Sequence, residues 1–170
     1  MLTRETIEET IKTVGAAKLN LSGEDLHGSD LSKMEMKSAN LTRVKLEGCD
    51  LTEIILQEAT LEWANLKEAD LTQANLSKSK CFQINLYKAK LEEANLKEAY
   101  FGKANFRHAR LKKANLSKAK LLYADLRDAD LEEAILEGVD LRWARYNSQT
   151  KWPNEKFDPS LTGAVLYERE

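Results

Sequence analysis

A leucine-like residue recurs at every fifth position from Leu21 to Tyr146 without a break in phase. We call these positions centres. Most of them are leucine, and the exceptions include Met36, Phe101 and Phe106 as well as the less usual Cys81 and Tyr146. Two residues before each centre lies a small residue, most often alanine, and the residue directly before it is often Asn or Asp. A repeat this regular constrains the fold more than any other feature of the chain.

A five-residue period fits neither an α-helix nor a flat strand. On a helix, five steps of about 100° would separate successive centres by roughly 140° and scatter them around the axis. In a flat strand an odd spacing would place successive centres on opposite faces. Within one unit, however, the small residue and the centre are two positions apart, and such residues share a face of extended chain. A chain that turns in the same sense at every unit would point all these pairs at one axis, which predicts a solenoid.

The asparagines indicate how many units close one coil. They alternate at ten-residue spacing with other residues, in the series Asn65, Asn75, Asn85, Asn95, Asn105 and Asn115. A three-sided coil would stack Asn on Lys at every level, whereas a four-sided coil stacks Asn on Asn along two opposite faces. The sequence therefore favours four units per coil. The result would be about six and a half coils and, at roughly 4.8 Å per layer, a rod about 30 Å long.

Individual units resemble the pentapeptide-repeat family, whose pattern is A-(D/N)-L-X-X. Clear cases are Ala64–Glu68 (A-N-L-K-E), Ala69–Gln73 (A-D-L-T-Q) and Ala114–Lys118 (A-N-L-S-K). The resemblance covers residues 19–146 and implies the all-β solenoid of that family, a right-handed quadrilateral β-helix. The tail resembles the terminal segment of many cyanobacterial members through Trp152–Pro153, Phe157–Pro159 and Gly163–Leu166.

We expect one domain over residues 1–170, with a repeat solenoid at 19–146 between two caps. Both ends of a β-solenoid expose open edges and an apolar bore, so each needs a cover. In the N-terminal cap, 1–18, the spacing of Ile7, Ile11 and Val14 predicts an amphipathic helix over 3–14 that Gly15 can end. The C-terminal cap, 147–170, leaves the five-residue phase and is expected to be irregular. Its apolar residues are expected to close that end: Trp152, Phe157, Leu161, Val165 and Leu166.

Charge and hydropathy exclude several classes of partner. The chain has 26 basic and 28 acidic side chains, so its net charge predicts no bulk attraction to nucleic acid or anionic membranes. No apolar run approaches the length of a membrane span, and the N-terminus has no apolar signal core. We expect a cytoplasmic protein that is a monomer or a weak dimer, with no nucleic-acid or membrane partner.

The residues that usually carry chemistry are dispersed. His27 and His108 occupy outward positions far apart along the rod, and Cys49 and Cys81 occupy inward positions more than one coil apart. We expect two buried thiols rather than a disulfide. Acidic and basic pairs at 92–93, 112–113 and 132–133 are spaced to stack as a ladder of alternating charge. The sequence predicts no catalytic residue, no cofactor and no metal site.

One face collects exposed apolar side chains. On the face with centres Leu41, Leu61, Cys81, Phe101, Leu121 and Leu141, the outward positions include Trp63, Phe82, Tyr100, Leu122, Tyr123 and Trp143. Exposed aromatic residues gathered on one surface are typical of protein interfaces. Two other interpretations remain open, namely aromatic ladders that stabilise the coils and packing beneath the C-terminal tail.

These observations predict a non-catalytic protein-interaction scaffold that binds an unknown protein partner through this face. The family resemblance implies an alternative, because some pentapeptide-repeat proteins mimic duplex DNA and protect DNA gyrase from inhibitors. Such mimicry needs continuous acidic columns. Here basic residues interrupt every face, as at Lys67, Lys88, Arg107 and Arg127.

Overall fold

The computed structural model describes residues 2–168, in which regular elements lie near the two ends. Helix α1 spans Arg4–Val14 and is followed by a 3₁₀ helix at Ala16–Lys18. Strand β1 spans Arg145–Tyr146, a second 3₁₀ helix spans Pro159–Thr162, and strand β2 spans Val165–Leu166. Residues 19–144 form neither helices nor extended strands. They alternate two-residue turns with single-residue β-bridges, one of each per five-residue unit.

The bridges show a four-sided solenoid. They are parallel and join residues twenty apart, from Asn20↔Asn40 to Asp125↔Arg145. Twenty residues contain four units, so the even-sided coil predicted from the asparagines is confirmed. The Asn residues stack as expected, because Asn85 Nδ2 donates to Asn65 Oδ1 at 2.9 Å and Asn105 Nδ2 donates to Asn85 Oδ1 at 3.1 Å.

The A-(D/N)-L order has a cause in backbone hydrogen bonding. In the unit 76–80, three N–H groups donate to carbonyls of the adjacent coils at 2.8, 2.9 and 2.9 Å. The N–H of Ser79 closes the turn by donating to the carbonyl of Leu76 at 3.1 Å. The remaining N–H, that of Ser77, donates to Oδ1 of Asn75 at 3.0 Å. An Asn or Asp before the centre therefore satisfies the one amide that neither the turn nor the adjacent coil can pair.

Every turn has the same backbone conformation. From the unit of Leu21 to that of Leu141, the third residue of each unit has a positive φ, between 55° and 63° at the non-glycine positions. With a hydrogen bond across the turn and only this residue left-handed, the geometry is that of a type II turn. The left-handed region is hardest to reach for β-branched residues. None of these third positions holds Val, Ile, Thr or Pro.

This turn geometry makes a direct prediction at Glu98, which is exposed with a φ of 60°. Glu98→Ile should lower the free energy of unfolding by about 1–2 kcal/mol, because a β-branched side chain is strained there. Glu98→Gly should leave it unchanged within about 0.5 kcal/mol, because relief of strain offsets the entropy lost by glycine. Urea melts of the two variants measure the difference. Equal stability would contradict the turn assignment.

The bore of the solenoid is filled by the centres and the small residues two positions before them. Residues such as Ala59, Leu61, Ala89 and Leu91 are fully buried. The larger Phe101 and Phe106 meet edge to face inside the bore with ring centroids 5.1 Å apart. Burial of these side chains is the main source of stability for a solenoid of this type.

Helix α1 packs against the core of the solenoid. Its Ile7 is fully buried, and Leu2 and Ile11 pack against the same core. Arg4 fastens the helix to the solenoid by donating to the carbonyl of Ser32 at 2.9 Å. Val14, the last residue of the helix, was expected to share the apolar face but is exposed.

The C-terminal tail continues the solenoid hydrogen bonding after a shift of one residue. Asp130 bridges Lys151, which is twenty-one residues away, and β1 then pairs with β2 in the twenty-residue register Arg145↔Val165. The extra residue places Thr150 in an inward position, where its hydroxyl donates to the carbonyl of Leu126 at 3.0 Å. Ladder pairing therefore extends past residue 146, where the sequence predicts an irregular cap.

The apolar residues of the tail divide into two groups. Trp152 and Phe157 pack against the core, with ring centroids 5.1 Å apart. Leu161, Val165 and Leu166 are exposed, Leu161 by 85%, so the expectation that they close this end is wrong. The backbone of β2 pairs with β1, but within residues 2–168 the side chains of Leu161, Val165 and Leu166 remain exposed.

Candidate interaction face

All six residues of the predicted interaction face lie on one side of the solenoid. The bridges Thr60↔Lys80, Lys80↔Tyr100, Tyr100↔Lys120 and Lys120↔Asp140 stack the corresponding units directly on one another. We call this surface the aromatic face. It consists of the outward positions around the centres from Leu41 to Leu141, including Trp63, Phe82, Tyr100, Leu122, Tyr123 and Trp143.

The rings form two groups along the rod. In the first, Trp63 meets Phe82 edge to face at 6.1 Å, and Phe82 lies parallel to Tyr100 at 6.0 Å. In the second, Tyr123 and Trp143 lie parallel at 6.4 Å. Each contact joins successive coils, so the aromatic ladders considered from the sequence are present.

The turn geometry directs several of these rings outward. Trp63, Tyr123 and Trp143 all occupy the left-handed third position of their turns. The indole of Trp63 is further fixed because its Nε1 donates to Oε1 of Gln83 at 3.0 Å.

Tyr100 lies over the backbone of the next turn. A Cβ atom added at Gly102 would approach the Tyr100 hydroxyl to 2.6 Å, so the absence of a side chain at Gly102 makes room for this ring. No other unit between Leu21 and Leu141 has glycine directly after its centre. That exception is the sequence signal from which the position of the ring can be predicted.

Stacking leaves much of the aromatic surface in contact with solvent. The side chains of Trp63, Tyr100, Tyr123 and Trp143 are between 38% and 59% exposed, whereas Phe82 and Leu122 are half-buried. Trp143, the ring nearest to the tail, is the most exposed of the four, so the tail does not bury it. The rings are thus held by their neighbours and still present a broad apolar surface.

Cations lie against the first ring group. The guanidinium of Arg43 is 5.4 Å from the Trp63 ring centroid, and Nζ of Lys103 is 5.8 Å from that of Phe82. Both distances lie within the range of cation–π attraction. The aromatic face therefore interleaves positive charge with apolar surface.

The two thiols are unsuited to nucleophilic chemistry. Cys49 and Cys81 are free and buried. Burial raises the pKa of the Cys49 thiol and raises the pKa of Cys81 to about 12. Both sulfurs therefore stay protonated at neutral pH, and a protonated thiol is a poor nucleophile and metal ligand.

The predicted charge ladder is only half correct. Lys112 pairs with Glu132 at 2.9 Å, and Lys113 pairs with Glu133 at 3.8 Å. The other half differs because Arg110 forms a salt bridge with Glu92, whereas Glu93 accepts a hydrogen bond from Gln73. A lysine was expected to pair with Glu92. The longer side chain of Arg110, which lies one position before its centre, reaches Glu92 instead. These carboxylates are held in structural pairs.

A polar cavity lies where the tail meets the neighbouring face, and sequence reasoning missed it because the tail has no repeat pattern. Its volume is about 380 Å³, and its lining includes Arg107, His108, Asp128 and Glu168. Two of its polar contacts are internal. Nε2 of His108 is 3.5 Å from Asp128, and the Ser148 amide donates to Glu168 at 2.7 Å.

Within residues 2–168, no three or more His, Cys, Asp or Glu side chains are grouped so that they could hold a metal ion. Nor is any helix there both long enough and apolar enough to cross a membrane.

Solved structures to which this chain is similar include proteins of cyanobacteria. HetL, a pentapeptide repeat protein involved in heterocyst differentiation regulation in Nostoc sp. strain PCC 7120, is 28% identical over 86% of this chain and 73% of its own, with a TM-score of 0.39. Rfr23 from Cyanothece 51142 is 23% identical over 87% of this chain and 98% of its own, with a TM-score of 0.36. QnrB1, a plasmid-mediated fluoroquinolone resistance protein, is 14% identical over 89% of this chain and 84% of its own, with a TM-score of 0.41. Among curated proteins, none matches the chain.

The family model for pentapeptide repeats matches the chain over residues 20–57, 54–91, 84–121 and 109–145. These overlapping ranges cover almost the whole solenoid and more than half of the chain. Proteins of this family form right-handed quadrilateral β-helices, which agrees with the four-sided coil and its twenty-residue register. The chain therefore belongs to the pentapeptide repeat family.

Proposed function

We propose that this protein is a non-catalytic interaction scaffold that binds a protein partner through its aromatic face. The observation that carries the proposal is the group of four large aromatic side chains, between 38% and 59% exposed, on one side of a rigid rod. Trp and Tyr are enriched at the energetically important positions of interfaces. An apolar surface that continues over several coils is larger than scattered exposure would produce.

The stacking of the rings supports binding as well as stability. Because Trp63 is held by Phe82 and Gln83, and Tyr123 by Trp143, these side chains have little rotamer freedom left to lose. Ordering of interface side chains normally costs about 0.5–1.5 kcal/mol for each flexible one. A preorganised aromatic surface avoids much of this cost.

The proposal predicts a loss of partner binding when the two ring groups are each truncated. A variant with Trp63→Ser and Tyr123→Ser should lose capture of its partner from lysate of the native host, as measured by affinity capture and mass spectrometry. Its free energy of unfolding should fall by only about 1–2 kcal/mol, because two ring contacts are removed from a core that stays intact.

The matched control carries Lys112→Ser and Lys113→Ser on the opposite, charged face, where exposed ion pairs contribute little. This control should retain both the captured proteins and the melting temperature. Undiminished capture by the Trp63/Tyr123 variant would refute the aromatic face as the binding surface.

The domain organisation forms part of the same proposal. We propose a single domain of about six and a half coils, at roughly 4.8 Å per layer, in which α1 and the tail with Trp152 and Phe157 act as caps. We further propose that the protein works in the cytoplasm as a monomer or weak dimer. The near balance of 26 basic and 28 acidic residues supports the absence of nucleic-acid and membrane partners.

The alternative function is a DNA mimic that binds gyrase. It requires long uninterrupted columns of negative charge, as on a duplex. On the most acidic face, however, Lys90 lies 2.9 Å from Asp70 and Lys112 lies 2.9 Å from Glu132. These lysines neutralise the carboxylates coil by coil, which favours the scaffold proposal over mimicry.

A further inference from the structure

The aromatic face differs in charge from the face on the opposite side of the rod. Around its centres from Leu41 to Leu141, the outward positions hold two acidic residues, Glu62 and Asp140, and five basic ones: Arg43, Lys80, Lys103, Lys120 and Arg142. The opposite face, around the centres from Leu51 to Leu131, holds eight acidic and four basic residues. A chain that is almost neutral as a whole therefore has a positively charged aromatic face and a negatively charged opposite face.

Most of the positive charge on the aromatic face has no internal partner. Arg142 pairs with Asp140 at 2.7 Å. Within residues 2–168, the other four basic residues of this face form no salt bridge, whereas Lys90 and Lys112 on the opposite face do. Two of the four lie over aromatic rings. Their charge is thus available to an incoming group, which need not first break an existing ion pair.

On the basis of the proposed function, we infer that the partner presents an acidic segment that also carries apolar side chains. Its carboxylates would meet the free cations, and its apolar groups would cover the exposed ring edges between them. Charge complementarity of this kind raises association rates and selects among partners. The five coils from Arg43 to Arg142 extend roughly 24 Å, a length that about seven residues of extended chain would span.

Single-stranded nucleic acid also combines negative charge with apolar surface, but the ring geometry favours a peptide. Nucleic-acid platforms stack bases on the open faces of aromatic rings. Here one face of each of these rings is already in contact with another ring, because Phe82 lies parallel to Tyr100 and Tyr123 lies parallel to Trp143. The cations of Arg43 and Lys103 cover further ring surface.

Fluorescence anisotropy with defined probes tests the inference on the whole protein. The probes are a fluorescein-labelled peptide of repeated Glu-Glu-Phe triplets, its Lys-Lys-Phe counterpart and a labelled oligothymidylate. The acidic peptide should bind at low salt and weaken by roughly tenfold or more at high salt, while the other two should not bind. Failure of the acidic peptide to bind, or equal binding of the basic one, would overturn the inference. Binding of oligothymidylate alone would indicate a nucleic-acid ligand instead.

Matched charge variants locate the binding. Lys80→Gln, Lys103→Gln and Lys120→Gln together should weaken binding of the acidic peptide by roughly tenfold or more. The same change at Lys78, Lys97 and Lys118, on the neighbouring face, alters the net charge equally and should leave affinity within about twofold, because those cations lie outside the binding surface. An equal loss of affinity in both variants would show that the attraction is non-specific and would contradict the inference.

The lysate experiment keeps the two proposals separable. If Trp63→Ser with Tyr123→Ser abolishes capture but the acidic peptide does not bind, the aromatic face is an interface and only the acidic partner is wrong. If capture survives that double substitution, the proposed function itself fails.

Discussion

Leu96→Asp is expected to unfold the solenoid. Leu96 is a fully buried centre in the middle of the rod, and water cannot reach the bore to solvate a carboxylate there. An uncompensated buried charge typically costs about 3–5 kcal/mol, and the lost apolar contacts add to this. The sum is comparable to the whole stability of an ordinary domain, about 5–15 kcal/mol. Circular dichroism and thermal melts should show loss of cooperative unfolding near room temperature.

Lys97→Asp is the control for this substitution. Lys97 is the next residue along the chain, and its side chain faces solvent. The same aspartate there should change stability by no more than about 0.5 kcal/mol. If the two variants melt alike, the assignment of inward and outward positions is wrong.

Removal of residues 1–16 is expected to convert the protein into soluble aggregates or head-to-head dimers. This deletion takes away α1 and with it Ile7, the fully buried residue over the first coil. The uncovered coil would expose both its bore and the unpaired edge of its backbone ladder, which can pair with another chain. Light scattering over a range of concentrations measures the assembly.

Two point variants separate the covering role of α1 from helix formation itself. Ile7→Ser removes the contact with the core and should shift the protein partway toward assembly. Val14 is exposed at the end of the helix, so Val14→Ser should have no effect on assembly. A truncated protein that stays monomeric at high concentration would show that α1 is not needed as a cover.

The repeat architecture could be predicted from the sequence because its cause is local and is repeated many times. Most units place an Ala and a Leu two positions apart, so the bore could be identified without any long-range information. The recurrence of Asn65, Asn85 and Asn105 then indicated the number of sides, because side-chain ladders form only between residues that stack. The aromatic face followed from the same register, although its role as an interface remains a proposal.

Features that depend on backbone conformation were harder to predict. The left-handed third position is occupied mostly by Glu, Lys and Gln, and its signals in the sequence are four glycines and a lack of β-branched residues. The position of Tyr100 depends on a single glycine, Gly102. In both cases the signal is the absence of a side-chain type, which a search for motifs does not detect.

The C-terminal tail shows where a repeat pattern stops being informative. One extra residue before Lys151 shifts the phase, and the twenty-residue register returns at Val165. Periodicity in sequence was lost, yet backbone pairing continued, because the ladder requires only that amides and carbonyls meet and not that leucines recur. Exposure of Leu161 could not be foreseen, because no repeat pattern there separates inward from outward positions.

The twenty-residue register also determines how such a protein can change length during evolution. Gain or loss of twenty residues adds or removes one whole layer and leaves every outward column aligned. Gain or loss of a single five-residue unit preserves each turn and each buried Leu, but it rotates everything beyond it by a quarter turn around the axis. Such a change between Tyr100 and Tyr123 would leave the rod folded while placing its two ring groups on adjacent sides. Selection for a continuous recognition surface would thus act on chain length in steps of a full coil, whereas selection for folding alone would accept steps of five.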